Sequence, residues 1–116
     1  ERSLTSRAPE LGVEIRLMQS NHEGVLIDAL EAERETADGC IINPAGLSHT
    51  SVTLLDAVRS FSRPVIEVHL SNIHVREPYR RLSLTGEAAT GVISGLGPDG
   101  YLLALEAMVR LVRRDR

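Results

Sequence analysis

Three short apolar runs set the terms for this chain: Cys40-Ile-Ile42, Pro64-Val-Ile-Glu-Val-His-Leu70 and Gly91-Val-Ile-Ser94. Val52 to Phe61 reads as a helix between the first two. After the last, Tyr101, Leu105, Met108 and Val112 form a stripe at helical spacing. Strands alternating with helices in this rhythm build βαβ units and a parallel sheet. Cys40–Ile42 is continuously apolar, as a strand covered on both faces should be. Earlier, Val13, Ile15 and Leu17 alternate with Glu14, Arg16 and Met18, which reads as a half-exposed edge strand. Val25 to about Glu35 reads as a helix, and Ser48 or Thr50 is expected to cap the helix over Val52–Phe61. Gly95-Leu-Gly-Pro-Asp-Gly100 turns the chain into the final helix, where Arg110, Arg113 and Arg114 suit the C-terminal end of the dipole. Glu1 to Gly12 reads as the second half of a helix feeding the strand at Val13, although doubly wound folds normally open with a strand. No repeat or linker interrupts the pattern, so one domain over residues 1–116 is expected.

Apolar residues make up 42% of the chain and aromatics 3%, so the core must be built from Leu, Ile, Val and Ala. All 13 basic residues are Arg, and the net charge of −3 argues against a nucleic-acid binder. The single cysteine, Cys40, lies in an apolar run and reads as an inert core thiol. No disulfide can form within the chain, which points to a reducing cytoplasm. No stretch has the length of a membrane span, and no signal peptide is visible.

Polar residues crowd three transitions that a parallel sheet places on one edge: Ser20 to Gly24, Asn43 to Ser51 and Glu67 to Glu77. Open α/β sheets bind ligands at the C-terminal ends of their strands. On the Pro64–Leu70 strand, Ile66, Val68 and Leu70 share one face, and Glu67, His69 and Ser71 the other. His69 reads either as a general acid oriented by Glu67 or as a core histidine satisfied by it. His49 is a site candidate or a loop residue at a helix start, and His22 and His74 read as loop or packing residues. Arg76, Arg80 and Arg81 suit carboxylate or hydroxyl recognition, or form a solvated cluster. The histidines lack metal-ligand spacing, so no metal is expected. No Gly-x-Ser-x-Gly elbow is present for a serine hydrolase. Gly95-x-Gly-x-x-Gly100 follows the last strand rather than the first and reads as a tight turn, not a nucleotide loop.

Five motifs, in order, carry a resemblance. Gln19-Ser-Asn-His-Glu-Gly24, Ile42-Asn-Pro-Ala-Gly-Leu-Ser-His-Thr-Ser51, Asp56-Ala57, Pro64 to Glu77 and Gly91-Val-Ile-Ser-Gly-Leu-Gly97 together resemble type II 3-dehydroquinate dehydratase, over about Leu11 to Val112. The resemblance implies a flavodoxin-like fold with strand order 2-1-3-4-5, assembled as trimers packed into a dodecamer. It implies cofactor-free elimination of water from 3-dehydroquinate to give 3-dehydroshikimate, through an enolate. By resemblance, His69 is the proton donor to the leaving hydroxyl and Glu67 orients it. Asn43, His49, Asp56 and Arg80 match substrate-binding positions. Leu70 and Ser71 match the pair that holds the substrate carboxylate, and Arg76 has a supporting role.

The family's first strand, its Asn-bearing loop and its lid with a catalytic Arg and Tyr have no match here. Tyr79 and Tyr101 are the only tyrosines, and neither matches the base. The sequence is therefore expected to be an N-terminal truncation with little or no activity of its own. A non-catalytic subunit keeping the fold and the assembly surface is the alternative reading. A flavodoxin-like module for phosphate or nucleotide is disfavoured by the missing phosphate loop.

Overall fold

A computed structural model of the chain describes residues 2–75 and 77–114, and for residues 2 and 80 the backbone alone. Its centre is a parallel sheet of β1 (Cys40–Ile42), β2 (Val65–His69) and β3 (Gly91–Ser94), in that order. Cys40 pairs with Val65 and Ile42 with Glu67; on the other side Ile66 pairs with Gly91 and His69 with Ser94. Flanked on both sides, β2 has every residue buried. All three strands fall where the apolar runs place them.

The helices cover both faces. Helices α2 (Glu23–Glu33) and α3 (Val52–Phe61) bury Leu30, Leu54, Val58 and Phe61 against Ile42 and Val65. On the opposite face α5 (Asp99–Arg114) packs Ala104 and Met108 on Ile66 and Val68. Helix α1 (Arg2–Glu10) lies against α5, where Ala8 joins Leu105 and Val109 and Arg7 bridges to Glu106 at 2.7 Å. Gly100 permits the close approach of α5 to the sheet, because a Cβ there would stand 3.1 Å from Val68 Cγ1. Cys40 is packed against the first of these clusters, and burial pushes its thiol pKa up to about 11. Such a thiol is unreactive at neutral pH.

Two local expectations are corrected. Helix α3 spans the expected residues, but its cap is Ser51, whose hydroxyl accepts from Leu54 N–H at 2.9 Å. Ser51 also donates to Glu23 in the first turn of α2, tying the two helix starts together. Ser48 is instead buried, its hydroxyl donating to the Ala45 carbonyl at 3.0 Å. Helix α2 starts at Glu23 rather than Val25, which puts an acidic side chain in its first turn.

The larger correction concerns the expected edge strand at Val13. Residues 13–20 are irregular. Val13 and Ile15 do turn inward, packing beside Ile41 against Ala8, Leu105 and Val109. Leu17 and Met18 are exposed. Alternation buries one side of a segment, but a strand also needs a hydrogen-bonded neighbour, and among the described residues β1 pairs with β2 alone.

Candidate functional site at the C-terminal edge of the sheet

Strand alternation puts Val65, Glu67 and His69 on one face of β2. At the end of that face His69 Nε2 lies 2.6 Å from Glu67 Oε2. His69 is 5% exposed and Glu67 is fully buried. A buried carboxylate is expensive unless its lone pairs are taken. Here they are: Ser83 Oγ donates to Oε2 at 2.6 Å, and Thr85 Oγ1 donates to Oε1. Burial by itself raises the Glu67 pKa, but the three hydrogen bonds and the charge on His69 outweigh it, holding the carboxyl below its ordinary value. With Nε2 turned to Glu67, Nδ1 is the ring nitrogen left for a reacting group.

The backbone beyond His69 is fixed by the turn after β3. Gly95 N–H donates to the His69 carbonyl at 3.1 Å and Gly97 N–H to the Leu70 carbonyl at 2.9 Å. Both glycines have positive φ, and a Cβ on Gly95 would stand 3.0 Å from Asn72 Cβ. The glycine-rich stretch is therefore a tight turn, as its position after the last strand implied. Leu70 and Ser71 emerge exposed at its end, with the Ser71 carbonyl accepting from Ser94 Oγ at 3.2 Å.

From β1 the chain runs directly into Asn43. Its Oδ1 accepts from Ala45 N–H at 3.0 Å, and its Nδ2 donates to the Tyr101 hydroxyl at 2.8 Å. A short 3-10 turn, Ala45–His49, follows. There His49 Nδ1–H donates to the Leu82 carbonyl at 2.7 Å. Helix α4 (Pro78–Arg81), which carries Arg80, packs against this turn and against Ile73–Val75. Asp56 is exposed in the second turn of α3. Arg76 lies outside the described residues.

Asn43, His49, Glu67, His69, Leu70, Ser71 and the backbone of Arg80 thus belong to one edge of the sheet. Sequence reasoning missed Ser83 and Thr85, the hydroxyls on Glu67, and the bond from Asn43 to Tyr101. Tyr79 is exposed on α4, and Tyr101 on α5 is taken up by Asn43. Among the described residues no three His, Cys, Asp or Glu side chains gather as metal ligands. No helix among them is long and apolar enough to cross a membrane.

The comparisons with known proteins agree on the family. The family model for dehydroquinase class II matches residues 1–109. The chain belongs to the class II dehydroquinase family. The 3-dehydroquinate dehydratase of Endomicrobium trichonymphae is 52% identical over 112 residues, covering 97% of this chain and 78% of that protein. The 3-dehydroquinate dehydratase 1 of Agrobacterium fabrum is 49% identical over 108 residues, covering 93% and 74%. Among solved structures, the type II dehydroquinase of Butyrivibrio crossotus superimposes with a TM-score of 0.90 at 35% identity, covering 92% of this chain and 75% of that one. The type II dehydroquinase of Propionibacterium acnes has the same TM-score at 34% identity, covering 94% and 75%. The mixed architecture around a parallel sheet is therefore that of a class II dehydroquinase.

Proposed function

We propose that this class II dehydroquinase eliminates water from 3-dehydroquinate to give 3-dehydroshikimate, with His69 as the proton donor. The observation that carries the reading is the buried Glu67–His69 pair at the end of β2. In the elimination a proton beside the ketone is removed first, leaving an enolate. The enolate collapses to the conjugated enone as the carbon–oxygen bond breaks, and the departing hydroxyl takes a proton to leave as water. His69 supplies that proton through the nitrogen not bonded to Glu67, and Glu67 keeps the ring in place. Leu70 and Ser71 hold the substrate carboxylate through their backbone amides and the Ser71 hydroxyl. Asn43, His49, Asp56 and Arg80 hold the ring and its hydroxyls, and Arg76 supports them.

In the family reading a tyrosine on a lid removes the first proton. Tyr79 and Tyr101 do not match it, so residues 1–116 account for the acid half of the reaction. Residues 1–116 are read as one domain, cytoplasmic and working without a cofactor. Trimers assemble into a dodecamer, and β1 to β3 are the last three strands of the order 2-1-3-4-5.

The test is turnover of 3-dehydroquinate by the natural full chain, followed by the absorbance of the enone product. His69→Ala should lower kcat by about 10²–10⁴-fold, the span of a general acid. Unchanged kcat in that variant would overturn the assignment. No turnover in the natural protein would favour a non-catalytic subunit of the same fold.

A further inference from the structure

Glu67 can orient His69 only if something else fixes Glu67. The strand does not do so; the fixing groups come from a segment 16 and 18 residues downstream. Ser83 shares Oε2 with His69, and Thr85 takes Oε1, so both oxygens are engaged. Ser83 is held in turn, accepting from Gly86 N–H at 3.0 Å, and the two hydroxyl oxygens stand 3.3 Å apart, each with its proton on Glu67. Gly86 lies close behind it: a Cβ there would stand 3.1 Å from Ser83 Oγ and 3.4 Å from Glu67 Oε2. The same segment is tied to the turn that carries His49. Leu84 N–H donates to the Ser48 carbonyl at 2.6 Å, and the Leu82 carbonyl accepts from His49 at 2.7 Å.

We propose that Ser83 and Thr85 are positioning residues for the acid: their hydroxyls hold the Glu67 carboxylate aimed at His69, and their segment holds His49 in register with that pair. The proposal rests on His69 being the proton donor. Its chemistry follows from what a carboxylate can and cannot do. Stripped of two of its three donors, a buried carboxylate favours the neutral acid. A protonated Glu67 carries a hydroxyl on one oxygen and loses the charge that draws the His69 N–H to Oε2. Among the described ionisable groups on the elements around β2, His69 alone bonds to Glu67. Cys40 of β1 stands opposite Val65, and Tyr101 of α5 is bonded to Asn43. Asp56 and Arg59 of α3, Glu87, and Asp99, Arg110, Arg113 and Arg114 of α5 are exposed, while Glu106 pairs with Arg7.

The test uses Ser83→Ala, Thr85→Val and the double variant in the natural full chain, with two readouts. Carbon-13 NMR of the Glu67 carboxyl should place its titration midpoint about one unit higher in the double variant. The acid limb of the kcat profile should move the same way, with kcat at neutral pH lower by about 10- to 100-fold and KM nearly unchanged. Thr85→Ser keeps the oxygen and should leave both as they are in the natural chain, where Thr85→Val moves them. A folded double variant whose Glu67 titration and acid limb stay in place would overturn the proposal. If the double variant does not fold, Thr85→Val against Thr85→Ser decides: a difference in the acid limb supports the proposal and identical profiles overturn it. A natural chain that dehydrates nothing but shows the NMR shift would remove the catalytic reading and leave the charge effect of the hydroxyls standing.

Discussion

The two ends of the sheet both gather charge, and they use it in opposite ways. At the N-terminal end, where α2 and α3 finish, Arg34, Glu35, Ser60, Ser62 and Arg63 rim a hollow of about 420 Å³. Arg63 and Asp38 there approach to 3.6 Å with both side chains about half exposed. At the C-terminal end a single carboxylate is fully buried and receives three short hydrogen bonds. The first arrangement surrounds an open hollow and has more charge, but its charges remain solvated, and pairs of that kind contribute little. The second has taken charge out of water and paired it completely. A desolvated and fully partnered charge marks chemistry better than a hollow does.

Four substitutions or conditions can break or sharpen that contrast. The largest effect should come from Glu67→Ala, which leaves His69, Ser83 and Thr85 without their shared acceptor. Loss of a buried partner costs about 3–5 kcal/mol, visible as a lowered denaturation midpoint. Acid comes next. The Glu67 carboxyl is held below its ordinary value of 4.5 in the folded chain, so the unfolded chain binds the proton first as pH falls. Its stabilising contribution is present above the unfolded value and is lost as pH drops through the folded one. Glu67→Gln should therefore flatten the stability curve on the acid side of pH 4.5, which denaturant titrations across that range would read. At the other end of the sheet, Ser62 caps α3 in the left-handed region with φ 58°. Ser62→Gly removes that strain and should raise stability by about 1 kcal/mol. The smallest effect is expected for Arg63→Ala, within about 0.5 kcal/mol by chemical denaturation and with turnover unchanged. A large loss of activity in Arg63→Ala would erase the distinction between the two ends.

The legibility of this chain in its sequence follows the range of the interactions involved. The Cys40–Ile42 and Gly91–Ser94 runs and the Val52–Phe61 helix were readable because their apolar pattern is contained in a few residues. The pairing of Glu67 with His69 was readable for the same reason: two residues apart on a strand is the same face. The strand expected at Val13 failed because pairing is a property of the neighbour, and alternation reports only which side is buried. Ser51 displaced Ser48 and Thr50 as the cap of α3 by one to three positions, a difference that only backbone geometry decides. Ser83 and Thr85 had no signal at all, since nothing in Arg-Leu-Ser-Leu-Thr-Gly marks it as the partner of a carboxylate 16 residues upstream. The resemblance singles out His49 and Asn43, but not the bonds from His49 to Leu82 and from Asn43 to Tyr101.

The bonds from the Gly95–Gly97 turn reach further than the turn itself. The His69 carbonyl belongs to the same peptide group as the Leu70 N–H, and the Leu70 carbonyl to the same group as the Ser71 N–H. These are the two carbonyls that accept from Gly95 and Gly97. A donor on the oxygen of an amide draws electron density toward that oxygen and leaves its N–H more positive. Chains of this kind strengthen each member by roughly 10–30%. On the proposed reading, a carboxylate resting on Leu70 and Ser71 would meet two amides already polarised from behind. The glycine turn then acts as the far plate of an anion-binding capacitor, contributing to affinity without touching the substrate.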